Sequence, residues 1–182
     1  MIEDREYLQL HDVSKSFAGV RALSHVDLSV VEGEVHALVG ENGSGKSTLI
    51  KIVAGVLQPD SGAEIRIDGR SLRHLSAFDS ISAGIQVIYQ DLALFPNLTV
   101  AENVAMSQYI HDKRAVVNRR EMAAIARSAM AKISVEIDPY ALLGDLPIAK
   151  QQIVAICRSI TWGGRLIVMD EPTSSVKVRI PA

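Results

Sequence analysis

Residues 40–48, GENGSGKST, match the pattern G-x-x-x-x-G-K-[ST]. Glycines at 40, 43 and 45 let the main chain bend until successive N–H groups point inward. Such a bend makes an anion nest at the positive start of a helix. Lys46 adds a point charge for β- and γ-phosphates, and the hydroxyl of Ser47 can coordinate Mg²⁺. Asn42, Ser44 and Thr48 complete the candidate nucleotide contacts. The alternative is a plain Gly/Ser-rich turn before a helix. The complete motif between a predicted strand and a predicted helix argues against it.

A second patch of chemistry lies near the other end. Four apolar residues, 166–169, run into Asp170-Glu171. Asp170 can hold Mg²⁺ through water, and Glu171 can polarise an attacking water as a general base. An apolar run ending in acids is weak by itself, because many strands end that way. Beside a Lys46 loop it reads as the second half of a phosphate site. Gln90 ends another apolar stretch, where its amide can reach the metal or its water. A solvated loop glutamine explains Gln90 equally well.

The elements that must position these groups follow from local pattern. YLQLHDV and VDLSVV, within residues 7–31, alternate as strands, and Glu32-Gly33-Glu34 makes a turn. VHALV (35–39) reads as a buried parallel strand feeding the helix KSTLIKIVAGV (46–56). EIRIDG (64–69) is a strand with its turn, and GIQVIYQ (84–90) a further buried strand. From Leu92 to Ile160 the pattern becomes helical. Thr99 and Glu102 form a capping box, and Asn118 and Glu121 repeat the spacing. Met122, Ile125, Ala129 and Ile133 share one helical face, as do Ile153, Ile156, Cys157 and Ile160. Asp138-Pro139 suits the start of a short helix, and Trp162-Gly163-Gly164 the end of a longer one. RLIVMD is the third buried strand. The expected layout is a β-rich start, an α/β core, a helical insert and a return to the core.

Composition narrows the possibilities. With 182 residues, 48% of them hydrophobic, one domain with a real core is feasible. A net charge of −2 gives no electrostatic case for nucleic acid. The single cysteine, Cys157, excludes an internal disulfide framework. The polar start MIEDREYLQL is unlike a signal peptide. No apolar run approaches the roughly 18 residues of a membrane span. A soluble cytoplasmic protein is expected, one able to dock onto a membrane assembly.

Together these motifs resemble the nucleotide-binding subunit of an ABC transporter, over roughly residues 7–175. Phe17, in VSKSFAGVRAL, matches the aromatic position that stacks on adenine. Residues 40–48 match Walker A. Gln90, in VIYQDLALFPNLTVAENV, matches the Q-loop, and LPIAKQQIVAICRSI stands at the signature motif. LIVMDEPTS matches Walker B with its catalytic glutamate, Glu171. ALVGENGSGKSTLIKIVAG is most similar in wording to the N-terminal cassette of ribose-, galactose- or xylose-type importer ATPases. The resemblance implies an α/β fold: a P-loop NTPase (RecA-like) core with an N-terminal antiparallel β subdomain and an inserted α-helical subdomain. The core would comprise 1–90 and 161–175, the helical part 91–160, and residues 176–182 an unmatched tail. It also implies ATP and Mg²⁺ as cofactors, with Ser47, Gln90 and Asp170 around the metal and Glu171 and Gln90 in catalysis. The implied partners are transmembrane permease subunits, a second nucleotide-binding cassette and, indirectly, a periplasmic or extracellular solute-binding protein. No nucleic acid is implied. The implied location is the inner face of the plasma membrane.

Two departures stand out. The family signature begins Leu-Ser-x-Gly-Gln, whereas here it reads Leu146, Pro147, Ile148, Ala149, Lys150. Pro147 has neither hydroxyl nor N–H donor for a partner's γ-phosphate. After DEPTS, Lys177 stands where an aspartate belongs and the match dissolves. His11, His25, His36, His74 and His111 all precede Walker B, so none is the family's switch histidine. His36 is expected at a core or edge position, His74 and His111 in solvent. In the family, the strand leading to the switch histidine separates the Walker A and Walker B strands. The expectation is a C-terminally truncated cassette with a gap in its central sheet. Each buried main-chain group left unpaired there costs on the order of 1–3 kcal/mol.

The leading expectation is therefore the ATP-binding subunit of a carbohydrate importer, with ATP binding outlasting turnover. Phe95-Pro96-Asn97-Leu98 would grip the permease, although Phe95 also fits a simple core anchor. A non-transport ABC ATPase and a binding-only remnant are the alternatives.

Overall fold

The computed structural model describes residues 5–113 and 116–170. The chain divides between Ile85 and Gln86 into two units.

The first unit is built on an antiparallel sheet in the order β2-β1-β3-β4. Its strands are β1 (Glu6–Phe17), β2 (Val20–Val31), β3 (Glu64–Ile67) and β4 (Arg70–Leu72). Period-two alternation buries Leu8 and Leu10 and leaves Gln9 and His11 on the other side. Asp12 takes a left-handed φ of 55°, and the register with β2 slips between Leu10 and Val13. This bulge lets Val13, with no exposed surface, join the buried set. Two hairpins close with two-residue loops, Ala18-Gly19 (φ 43° and 88°) and Asp68-Gly69 (φ 51° and 75°). Positive φ at both positions gives a twist that matches the flanking strands.

Helix α1 (Lys46–Val53) is shorter than the expected 46–56, and buries Leu49, Ile50, Ile52 and Val53. Helix α2 (Ala77–Ser82) opens on a reciprocal Ser76–Asp79 capping box. Ser80 Oγ donates to the Val53 carbonyl at 2.9 Å, tying the two helices together.

VHALV departs from expectation. Residues 35–39 have no strand assignment, and Val35 and Val39 are each 89% exposed. A strand exists through its neighbours' hydrogen bonds. Among the described residues, none pairs with this segment. His36 is accordingly no core residue: it lies in an exposed stretch, its ring 2.9 Å from Glu34 Oε1.

In the second unit, β5 (Ile85–Ile88) pairs with β6 (Leu166–Met169). The helices are α3 (Val100–His111), α4 (Arg119–Lys132) and α5 (Ile148–Thr161). Thr99 and Glu102 form the expected capping box, and Asn118 caps α4 by accepting from the N–H groups of Arg120 and Glu121. The core includes Val104, Ala105, Ala123, Ala126, Ala155 and Cys157, none with exposed surface. Small residues on all three helices allow close axial approach. α5 is buried over a broader stripe than expected, with Val154 and Ala155 inside and Ile153 and Ile160 only partly covered. It packs against both α3 and α4, so one apolar face is insufficient. Gly163, at φ 75°, stops it.

Asp138-Pro139 starts no helix. Asp138 instead holds a turn, its Oδ1 accepting from the Tyr140 N–H at 3.0 Å. Its carbonyl accepts from Ala141 N–H at 3.2 Å. The side chain satisfies the local donor, so no continuing helix is required.

Candidate functional site

The 40–48 loop leads into α1 through Gly45, which is the helix N-cap with φ 91° and ψ 0°. A Cβ at Gly45 would lie 2.4 Å from the Ala22 carbonyl oxygen and 2.7 Å from Leu23 Cδ2. Glycine is thus required twice here, by conformation and by close passage over β2. Gly43 has φ 84° with open space around it, so only its conformation demands glycine. At Gly40 an added Cβ would meet Ser44 Oγ at 2.5 Å. The Ser44 N–H donates to the Glu41 carbonyl at 3.2 Å, closing the turn that carries Asn42 and Gly43.

Lys46 Nζ donates to the carbonyls of Gly40 and Glu41 at 2.6 and 2.7 Å. Its ammonium therefore stands over the loop, not away from it. No side chain caps α1, and its first turn contains no acid. A cation tied to two loop carbonyls thus stands at a helix start whose first turn carries no acid. This donor set fits phosphate oxygens. Ser47 is exposed and Thr48 half-buried at the same helix start. Phe17 ends β1 at the hairpin tip, opposite Val20, and is 45% exposed. The Lys15 ammonium lies 5.7 Å from its ring centroid. An exposed, cation-supported ring is competent to stack on a base.

Asp170 and Gln90 belong to the second unit. The Asp170 N–H donates to the Ile88 carbonyl at 2.9 Å, continuing the β5–β6 pairing by one residue. Asp170 is thereby fixed beside the end of β5, where Tyr89 and Gln90 leave the strand exposed. Burial and then the Asp170 carboxylate push the Tyr89 phenol above its usual pKa. Glu171 and the remainder of DEPTS lie outside the described residues.

Pro147 is the N-cap of α5, which has neither a side-chain cap nor an acid in its first turn. Gln151 Nε2 reaches back to the Leu146 carbonyl at 2.8 Å. The helix behind the altered signature forms as expected, but a cap hydroxyl is missing from its start.

Two polar residues escaped the sequence reading. Asn103, 1% exposed, accepts from Phe95 N–H at 2.8 Å and donates to the carbonyls of Phe95 and Thr99. Arg158, half-buried on α5, donates to the carbonyls of Leu92 and Ala93 at 3.0 and 2.7 Å. Their signal was a polar residue on an otherwise apolar helix face. Phe95 is not a core anchor, being 52% exposed. Beyond it, Asn97 and Leu98 line an open groove of about 410 Å³ with Arg119, Tyr140 and Leu142.

The family described as ABC transporter matches residues 23–174. This chain belongs to the ABC transporter family. It is 46% identical over 172 residues to the arabinose import ATP-binding protein AraG of Paraburkholderia xenovorans, covering 94% of this chain and 33% of that protein. It is 43% identical over 178 residues to the ribose import ATP-binding protein RbsA 2 of Burkholderia pseudomallei, covering 96% and 34%. The chain thus spans about a third of the length of these curated relatives. A crystal structure of an ABC transporter's ATP-binding cassette in its ADP conformation superposes with a TM-score of 0.80 at 26% identity. That superposition covers 94% of this chain and 71% of the other. The ABC family and its cassette fold are as the motifs led us to expect. Among the described residues, no helix is long and apolar enough to cross a membrane.

Proposed function

We propose that this chain is the Mg-ATP-binding cassette of a sugar importer. The observation that carries the reading is the loop geometry: Gly45 turned left-handed against β2, with Lys46 folded over an uncapped helix start. Lys46 and the N–H groups at the start of α1 bind the β- and γ-phosphates. Phe17 stacks on the base, with Asn42 and Thr48 completing the nucleotide contacts. Ser47, Gln90 and Asp170 are the residues that would hold Mg²⁺, which would supply charge neutralisation at the phosphates. Glu171 takes the proton of the attacking water.

Similarity to the arabinose and ribose import ATP-binding proteins supports carbohydrate as the cargo class. The partners would be permease subunits, a second cassette and, indirectly, a solute-binding protein, at the inner face of the plasma membrane. The exposed Phe95 and the adjoining groove suit the permease contact. A core of 1–90 and 161–175 with a helical part of 91–160 is the division this mechanism uses. Pro147 favours a second reading in which ATP binding outlasts turnover, because it offers no hydroxyl to a partner's γ-phosphate.

The test is titration with a fluorescent ATP analogue, comparing the protein with Lys46→Ala. Binding should weaken by about a hundredfold, the scale of two charged hydrogen bonds. Unchanged affinity overturns the site assignment.

A further inference from the structure

The segment after Gln90 is held at two separated points, both within the second unit. Asn103 of α3 fixes its distal end, bonding both main-chain groups of Phe95 and the Thr99 carbonyl. Arg158 of α5 fixes its proximal end. The guanidinium forks across two consecutive carbonyls, Leu92 at 3.0 Å and Ala93 at 2.7 Å, from 66 and 65 residues away in sequence. Between these carbonyls and Gln90 stands only Asp91. Its Oδ1 accepts from the Ala93 N–H at 3.2 Å and supports a left-handed Ala93, φ 48°. Among the described residues no carboxylate pairs with Arg158, so the guanidinium is directed at main-chain oxygens alone.

A planar fork that meets two carbonyls fixes orientation as well as distance. A lone helix-to-loop packing contact would fix only distance. Arg158 also lies on the helix that Pro147 starts, so the signature segment and the Gln90 segment share one rigid element.

We propose that Arg158 is a positioning residue that latches the Gln90 loop to α5, so that the loop follows the helix behind the signature. The proposal deepens the Mg-ATP reading given above and rests on it for its functional consequence. Gln90 reaches the metal only while Arg158 holds the chain two residues further on. Loss of the fork frees Gln90 without touching the phosphate loop.

The experiment compares the 182-residue protein with Arg158→Lys and Arg158→Gln. Hydrogen–deuterium exchange is followed by peptide, and ATP affinity is measured in Mg²⁺ and in EDTA. In Arg158→Gln, exchange over residues 89–95 should rise about tenfold, as expected for loss of a charged anchor, with α3 and α4 unchanged. The gain in ATP affinity conferred by Mg²⁺ should fall about tenfold, while affinity in EDTA stays within about twofold. Arg158→Lys should recover part of both effects, because an ammonium keeps the charge and loses the fork. Unchanged exchange over 89–95 overturns the latch. So does a uniform acceleration across the whole helical unit, or an equal loss of affinity with and without Mg²⁺, since either reports general destabilisation. If Arg158→Gln fails to fold, Arg158→Lys decides by the same criteria. A wild-type protein that binds no ATP in either buffer refutes the nucleotide reading, and the exchange comparison still decides the latch.

Discussion

The main-chain N–H of Asp170 donates to the Ile88 carbonyl at 2.9 Å, one residue beyond the end of β6. This bond puts a carboxylate beside the point where Tyr89 and Gln90 leave β5. The candidate metal-binding groups of the second unit thus share one end of a strand pair. In open α/β sheets, ligands bind at the carboxyl ends of strands. Asp170→Asn should remove the carboxylate that raises Tyr89, whose larger cause of elevation is burial. Ultraviolet titration of Asp170→Asn against an added Tyr89→Phe control should show the Tyr89 phenol ionising at lower pH. An unmoved Tyr89 transition would contradict the placement of Asp170.

Two neighbouring glycines should respond differently to alanine. Gly45→Ala forces a Cβ to within 2.4 Å of the Ala22 oxygen at a φ of 91°. It should displace the start of α1, cost about 2–3 kcal/mol and abolish nucleotide binding. Gly43→Ala meets open space and pays only for its left-handed φ, about 1–2 kcal/mol. Denaturant melts and ATP titrations of the two variants distinguish steric from purely conformational demand. Equal effects would mean the close approach to β2 is unimportant.

The Thr99 cap should make the helical unit acid-sensitive. The Glu102 carboxyl lies below its usual pKa because it accepts from the main-chain N–H and then the hydroxyl of Thr99. A folded-state pKa below the unfolded one stabilises above the unfolded value, about 4.3, and loses that contribution as pH falls through the folded one. Thr99→Ala should cost about 1 kcal/mol near neutral pH and less at pH 3. Urea melts at both pH values provide the check, and a cost independent of pH would contradict the reciprocal cap.

Cys157 should be chemically silent in the folded protein. It has no exposed surface, and burial pushes its thiol up to about 12. The thiolate, which is the reactive form, is therefore scarce at pH 8. A maleimide should label the protein in urea and leave the native state unmodified over the same interval. Rapid native labelling would mean that α5 opens readily from α3 and α4.

Much of the first unit was legible because its signals are local. Alternation in YLQLHDV, the Asp68-Gly69 turn and the glycines of 40–48 each act within a few residues. The helix caps and helices of the second unit are equally local, so Thr99 and Asn118 marked true helix starts, although Asn118 caps α4 without the reciprocal bond of a capping box. The 138–139 turn was misread because an aspartate side chain serves a turn and a helix start equally well.

What only the tertiary structure decided concerns partners distant in sequence. VHALV has the composition of a strand, yet strand structure requires a hydrogen-bonded neighbour, and none of the described residues supplies one. The roles of Arg158 and Asn103 were hidden for the same reason. Their acceptors include main-chain carbonyls, which every residue type carries, so a polar residue on an apolar face does not say which groups it holds. The sequence by itself determined the local form of the 40–48 loop, because glycines at left-handed positions, a lysine and a helix start are written in consecutive residues. Which strand finds a neighbour, and which carbonyls a half-buried cation holds, depends on chain segments brought together only by folding.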